Sequence, residues 1–298
     1  MTEQADALHR RVLEWYAREQ RDLPWRRPDA SPWGVLVSEV MLQQTPVVRV
    51  LPVWQEWLTR WPTPADLAAE APGEAVRAWG RLGYPRRALR LHAAATAIAE
   101  RHDGRVPGTV AELRELPGVG EYTAAAVAAF AFGRRVAVVD TNVRRVEARL
   151  VTGVQHAAPS LTTAERQVAE SLLPQSDSDA KVWNVAVMEL GALVCTARAP
   201  RCSDCPVESS CAWVANGRPA YVGPARRGQA WAGTDRQVRG RLLQVLRESD
   251  GPVPHDRLRE VWDDEVQRER CLDGLVADGL VEPVGEAEFS LPRAGRAR

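Results

Sequence analysis

Cys195, Cys202, Cys205 and Cys211 fall within seventeen residues of a 298-residue chain that has five cysteines in all. Their spacing is C-x6-C-x2-C-x5-C, and no histidine lies among them. Four thiolates converging on one short loop suit a soft metal or an iron–sulfur cluster. A zinc site more often carries two close cysteine pairs, and here there is only one C-x2-C. Scattered structural cysteines would not place four of five in one window. The fifth, Cys271, reads as a core residue of a C-terminal unit.

Around this loop the chain is apolar enough, at 45%, to build a real core. The opening MTEQADALHRRVLEWY has no apolar stretch of the kind that marks a signal peptide. No run approaches the ~18 apolar residues of a membrane span. A soluble, cytoplasmic protein is therefore expected, in a compartment where thiols ligate metal more readily than they pair as disulfides. Net charge is zero, but it is unevenly spread. Residues 248–298 carry 13 acidic and 7 basic side chains, leaving 32 basic and 26 acidic in residues 1–247. The body can thus meet phosphate while the tail does not. Lys181 is the only lysine.

The body reads as helix after helix. Ser31-Pro32, Thr45-Pro46 and Thr63-Pro64 each look like a cap residue followed by proline at a helix start. Residues 216–235, rich in Gly, Pro and Ala, read as a linker. Residues 236–292 form a further unit, with helices at 236–249, 254–262 and 265–278 and a hairpin at about 280–291. That order suggests a winged helix.

Within 109–132 a helix ends at Leu116, Pro117-Gly118-Val119-Gly120 turns, and a second helix begins near Glu121. Gly118 and Gly120 permit positive φ and close backbone approach. The free N–H groups of such a turn can cradle a phosphate, which positions a nucleic acid without reading its sequence. Taken alone, a turn with two glycines is more often only a turn.

Two carboxylates stand in unlike surroundings. Glu39 lies in an apolar helix, with Val35, Leu36 and Leu42 on its face. Desolvation there raises a carboxyl pKa and favours the acid. The alternative is a polar position on an exposed face. Asp140 follows Val136-Ala137-Val138-Val139 and caps a helix over Thr141–Thr152. Backbone N–H groups and the helix dipole there favour the anion, although a simple helix cap has the same appearance. One acid and one anion are what glycosidic bond cleavage requires.

With these features in place, the chain resembles the MutY-type adenine DNA glycosylases. The matching stretches are Leu23-Pro24-Trp25, SEVMLQQT at 38–45, RLGYPRRA at 81–88, LPGVGEYTA at 116–124, VVDTNVRRV at 138–146, and MELGALVC leading into the cysteine loop. They cover about residues 8–222, and the x6-x2-x5 spacing is similar to the family's [4Fe–4S] loop. The resemblance implies a mainly α, two-lobed helix–hairpin–helix glycosylase fold with a [4Fe–4S] cluster loop. A helical barrel domain would span 29–135, and a discontinuous helical domain 1–28 and 136–215. A linker over 216–235 and a small winged-helix-like unit over 236–292 would follow.

It also implies roles. Glu39 would protonate a ring nitrogen of a flipped adenine. Asp140 would stabilise the oxocarbenium sugar or attack it, supported by Tyr122 and Asn142, with Glu189 behind them. Gln44 would push into the duplex, and Tyr84 would wedge beside the opposite base. Trp25 and Arg26 would line the base pocket. Gly118, Gly120, Arg198 and Arg201 would meet phosphates. Cys195, Cys202, Cys205 and Cys211 would hold the cluster. The partner would be double-stranded DNA containing adenine mispaired with 8-oxoguanine or guanine, met by a monomer associated with the nucleoid.

Glycosylase-lyases of the endonuclease III type use a lysine where this chain has Tyr122, and arginine cannot replace that amine. A monofunctional glycosylase is therefore expected. Many relatives end in a hydrolase-like domain that reads 8-oxoguanine. Only some 76 residues follow position 222 here, so a protein-contact role for the C-terminal unit stands beside a DNA-contact role. Two alternatives remain: a thymine or uracil mismatch glycosylase, for which Glu39 is dispensable, and a non-catalytic, redox-sensing iron–sulfur protein.

Overall fold

The computed structural model describes residues 3–223 and 231–293. Arg226, Arg227 and the middle of the expected linker lie outside them. Along the chain run α1 (Glu3–Glu19), α2 (Pro32–Leu42), α3 (Val47–Arg60), α4 (Pro64–Ala68), α5 (Pro72–Trp79), α6 (Arg86–Arg101), α7 (Val110–Arg114) and α8 (Glu121–Phe132). Then come α9 (Thr141–Glu147), α10 (Thr163–Leu172), α11 (Asp177–Leu193), α12 (Ala212–Ala215) and α13 (Asp235–Arg247). The C-terminal part adds β1 (Val253–Pro254), α14 (His255–Arg259), α15 (Glu265–Ala277), β2 (Glu282–Val284) and β3 (Glu288–Ser290). No helix among the described residues is long and apolar enough to cross a membrane.

The proline-marked starts are only partly as expected. Thr63 closes a capping box with Asp66 at the head of α4, and Ser31 accepts a hydrogen bond from the Gly34 N–H. Thr45 does not cap α3, which begins one residue past Pro46. Its hydroxyl lies instead 3.3 Å from the carbonyls of Gln43 and Leu82. Helix α9 runs into a π-helical turn, Ala148–Thr152, so the segment expected as one helix changes its winding midway.

Two compact units emerge. The first is formed from segments within Met1–Val35, Gly108–Leu113 and Gly120–Ala225, the second from segments within Leu36–Pro107, Arg114–Val119 and Arg226–Arg298. In the first, Val12, Trp15 and Tyr16 of α1 recur at helical spacing and share a core with Val143 and Val146 of α9 and with Trp183, Val187 and Leu190 of α11. Asn184, also on α11, accepts from the Val138 N–H and donates to the Val136 carbonyl, each at 3.0 Å. These bonds satisfy an extended segment that has no strand partner, and they fix the path of the chain into Asp140.

The second unit is built around Trp57, Trp61 and Trp79. Their rings pack edge-to-face, at 4.9 Å for Trp57–Trp61 and 5.6 Å for Trp57–Trp79. Arg87 of α6 is buried beside them with its guanidinium over Trp79. One guanidinium N–H group donates to the carbonyls of Val40, Met41 and Gln43, at 2.9, 3.2 and 2.5 Å. The other donates to Thr45 Oγ1 at 3.0 Å and to the Gly83 carbonyl at 3.1 Å. The open carbonyls at the C-terminal end of α2 are thereby satisfied from inside the fold. Burial pulls the Arg87 pKa down to about 10, which still leaves it charged at neutral pH.

The C-terminal segment of this unit runs helix, strand, helix, helix, strand, strand, and its three-stranded antiparallel sheet has the order β1-β3-β2. Val238, Leu242, Leu246, Leu272 and Leu275 fill its interior with Cys271, which is 2% exposed.

Arg87→Met is expected to lower stability by roughly 3 kcal/mol or more, because it strands several buried acceptors at once. Arg87→Lys should recover only part of the loss, since one ammonium cannot serve the same spread of acceptors. Urea unfolding of the two variants checks this; a loss under about 1 kcal/mol for Arg87→Met would show that water satisfies the carbonyls instead.

Candidate active site

In the first unit Asp140 sits at the N-cap of α9. Its Oδ1 accepts the Val143 N–H at 2.7 Å, and its Oδ2 accepts the Asn142 side-chain amide at 2.8 Å. Arg145 donates to Asn142 Oδ1 at 2.8 Å, to the Gly191 carbonyl at 2.6 Å and, through Nε, to the Cys195 carbonyl at 2.7 Å. A continuous set of hydrogen bonds thus joins the Asp140 carboxylate to the first cysteine of the loop. Helix α11 presses on this set with bare backbone. A Cβ at Gly191 would lie 2.7 Å from the Asn142 Cβ and 2.9 Å from its carbonyl oxygen.

The cap was expected to keep Asp140 ionised by lowering its pKa. Burial instead raises its pKa above the usual aspartate value, against the opposing pull of the Val143 and Asn142 donors and the Arg145 charge. By exposure Asp140 is half-buried, so the two carboxyls still differ in their surroundings. Glu39 is 6% exposed and lies on a helix whose Leu36, Val40 and Met41 are buried.

Glu189 of α11 is fully buried and ionised. Arg21 forks onto it with both contacts at 2.7 Å, and Arg26 adds a third at 2.8 Å. Desolvation alone would push this carboxyl up, but the two arginines hold it below the usual glutamate range. Arg26, read as lining a base pocket, spends its charge here. Trp25, in a short 3₁₀ turn over Pro24–Arg26, is buried. Tyr122 sits half-buried in the first turn of α8, packed against a core that includes Ala125, Ala126 and Val138.

In the second unit Gln44 and Tyr84 are both exposed and both adopt positive φ, at 56° and 49°. Neither is glycine, and a bulky residue in the left-handed region costs of order 1 kcal/mol or more. Arg87 holds the carbonyls flanking both. Only one of the hairpin glycines needs its special freedom. Gly118 has φ 77°, and a Cβ there would lie 2.6 Å from the Arg90 side chain, whereas Gly120 has φ −89° and open space around it. Gly120 is the N-cap of α8.

The four loop cysteines line one cavity together with Arg149 and Trp213. Arg149 is 1% exposed and lies over the Trp213 ring. It donates to Cys195 Sγ at 3.3 Å and to the carbonyls of Gln155, Thr196 and Ala197. Burial pushes the Cys205 thiol up to about 12. Among the described residues, no three His, Cys, Asp or Glu side chains gather closely enough to hold a single metal ion. Arg198 is exposed, and Arg201 pairs with Asp204 at 3.4 Å.

Comparison with known proteins decides the family. Residues 37–170 match the model of the HhH-GPD superfamily base excision DNA repair proteins. An adenine DNA glycosylase of Mycobacterium tuberculosis is 54% identical over 286 residues, covering 95% of this chain and 93% of that protein. The chain belongs to the HhH-GPD superfamily of base excision DNA repair proteins. The human adenine DNA glycosylase is 44% identical over 212 residues, covering 67% of this chain and 38% of that protein. A thymine-DNA glycosylase of Aeropyrum pernix is 36% identical over 215 residues, covering 71% of this chain and 96% of that protein. In three dimensions the structure of a thermostable thymine-DNA glycosylase aligns with a TM-score of 0.64 at 26% identity, over 72% of this chain and 98% of that one.

Two groups of this HhH-GPD protein escaped the sequence reading. Arg21 carries no local motif, and its partner is 168 residues away. Glu147 was legible in principle, since positions 140, 143 and 147 share one helix face. It is 4% exposed, its Oε2 has no hydrogen-bond partner among the described residues, and burial with the nearby charges of Glu165 and Asp140 raises its pKa to about 8. It is thus a neutral acid at pH 7. Because the folded-state value lies above the ordinary 4.5, Glu147 costs nothing at low pH and destabilises the fold increasingly as pH rises from about 4.5 to 8. Glu147→Gln should therefore match the parent near pH 4.5 and exceed it by a few kcal/mol at pH 8. Denaturant midpoints across that range check the sign; a gain that shrinks with pH would show that the carboxyl is ionised in the fold.

Proposed function

We propose that this chain is an adenine DNA glycosylase of base excision repair, acting as a monomer on duplex DNA in which adenine is mispaired with 8-oxoguanine or guanine. The observation that carries the reading is a carboxyl buried on an apolar helix, Glu39, and a half-buried carboxyl capping another helix, Asp140, in a chain 54% identical to an adenine DNA glycosylase. The target nucleotide must leave the stack before its glycosidic bond is accessible, and a mispaired base is the cheapest to extrude. Gln44 and Tyr84, displayed at strained backbone positions, enter the duplex where the adenine leaves and beside the opposite base. The Gly118–Gly120 turn, Arg198 and Arg201 hold phosphates.

Glu39 gives its proton to a ring nitrogen of the adenine. The glycosidic bond breaks, its electron pair leaves with the base, and positive charge develops on the sugar. Asp140 meets that charge, steadied by Asn142 and Tyr122. Water then adds to the anomeric carbon and gives up a proton to the carboxylate that Glu39 has become, which leaves free adenine, an abasic site and a reprotonated Glu39. Arg21 and Arg26 keep Glu189 anionic, and this ion-paired cluster anchors Arg26 and the turn that carries Trp25. With Tyr122 following the hairpin, no amine stands ready to attack the sugar, and the enzyme is monofunctional.

Cys195, Cys202, Cys205 and Cys211 would hold a [4Fe–4S] cluster. The donor set supports this. A single zinc ion needs its four sulfurs about 2.3 Å from one point, whereas these thiols surround a shared cavity. A bound cluster supplies a rigid, multi-anchored loop. Arg149 would donate toward one of its sulfur ligands, and Arg145 ties the same loop to Asn142.

Single-turnover cleavage of duplexes holding A opposite 8-oxoguanine, G, C or T, with T:G and U:G duplexes alongside, tests the reading. Adenine release with strand breakage only after alkali is expected, and cleavage confined to T:G or U:G would overturn it. Glu39→Gln and Asp140→Asn should each slow adenine release at least ~10²-fold. A borohydride-trapped covalent adduct in good yield would contradict the monofunctional assignment. Since burial raises the Asp140 pKa and the anion is the working form, the rate should fall as pH drops through a value above the ordinary aspartate range. Asn142→Ala, which removes a donor to that anion, should move this acid limb further up in the pH–rate profile.

A further inference from the structure

The C-terminal segment of the second unit is held against the helices around Tyr84 at several points. The Gly73 N–H donates to the Pro292 carbonyl at 2.7 Å, where any side chain on residue 73 would collide with that carbonyl. Arg247 donates through Nε to the Val76 carbonyl at 2.9 Å, and Arg77 returns a hydrogen bond to the Arg247 carbonyl. Asp278 binds Arg86 of α6 at 3.1 Å and also pairs with Arg239 of α13.

This docking brings Arg236, in the first turn of α13, over the Tyr84 ring, with Cζ 4.9 Å from its centroid. The same guanidinium lies 5.6 Å from the Trp231 ring. Both rings are exposed, Tyr84 at 45% and Trp231 at 55%. Among the described residues no carboxylate pairs with Arg236, although acidic residues outnumber basic ones in the segment that follows. A guanidinium between two exposed aromatic rings keeps its outward N–H groups for a ligand. Planar rings beside a free positive charge are the chemistry that receives an unstacked base and its phosphate.

We propose that Arg236 and Trp231 complete the surface around Tyr84 and that this surface takes the DNA strand opposite the excised base. This rests on the glycosylase reading above. Arg236, which shares the Tyr84 ring with Arg87 at 5.4 Å, contacts a backbone phosphate, so the C-terminal segment contributes to opposite-strand recognition through α13 and Trp231.

The test is equilibrium binding of the full chain to a duplex with non-cleavable 2′-fluoro-2′-deoxyadenosine opposite 8-oxoguanine, over a range of salt. Arg236→Ala is expected to raise Kd roughly threefold to tenfold and to reduce the slope of log Kd against log salt by about one. Arg236→Lys should keep the slope but lose part of the affinity, since a lysine carries the charge without the planar fork. Trp231→Ala should weaken binding without changing the slope. Arg259→Ala, which removes an equal charge from a site paired with Asp256, should leave both unchanged. Parent affinity and slope in Arg236→Ala, or equal losses in Arg259→Ala, would overturn the proposal. Binding needs no cleavage, so the two readings fail separately. A parent chain that releases no adenine sinks the glycosylase reading, whereas adenine release with an inert Arg236→Ala sinks only this one.

Discussion

Among the described residues no carboxylate pairs with Arg87, yet its guanidinium gathers carbonyls from two parts of the second unit. A buried guanidinium is costly to desolvate, and here it is repaid by backbone carbonyls from the end of one helix and from the turn before another. Those acceptors flank Gln44 and Tyr84, two of the four exposed non-glycine residues with positive φ among the described residues. Strain of that kind persists only where the surroundings leave no alternative. The Trp57–Trp61–Trp79 cluster fixes the guanidinium plane, the guanidinium fixes the carbonyls, and the carbonyls fix two side chains facing solvent. The fold here spends core packing on the display of two surface residues.

The first unit meets a different demand with similar means. Asp140 is a structural cap and, in the function proposed above, also the working anion. The cap donors lower its pKa while burial raises it, and burial prevails. A carboxylate poised this way is stabilised by few, well-aimed donors and gains more from charge that develops beside it than a solvated one does. Glu189 shows the opposite solution, in which two arginines make ionisation permanent. Glu147 shows a third, since burial beside Glu165 and Asp140 raises its pKa to about 8.

Local patterns were readable and long-range partners were not. The LPGVG turn, the helix after Asp140 and the apolar face around Glu39 each follow from a few adjacent residues, and the structure forms all three. The cap rule, however, describes a helix end in water and missed the burial of Asp140. Thr45 looked like a cap because it precedes proline, but its hydroxyl was claimed by Leu82 and Arg87, residues 37 and 42 positions on. Arg21, Arg87 and Arg149 were anonymous in a chain whose basic residues are nearly all arginine. Each is defined by acceptors far along the chain, and most of those are backbone carbonyls, which every residue has. The C-terminal helices were found by periodicity, while the placement of Arg236 over Tyr84 depends on docking that no periodicity encodes.

The bare backbone of α11 at Gly191 carries one more implication. Most contacts in a protein are side chain against side chain, and a small displacement is absorbed by a rotamer shift on either part. At Gly191 there is no side chain to give way, and Asn142 meets the helix backbone directly. The gap between that helix and the reactive loop is therefore a hard stop. A shift of α11 at this point is passed to Asn142, and so to the Asp140 cap it supports, without a side chain between them to absorb it.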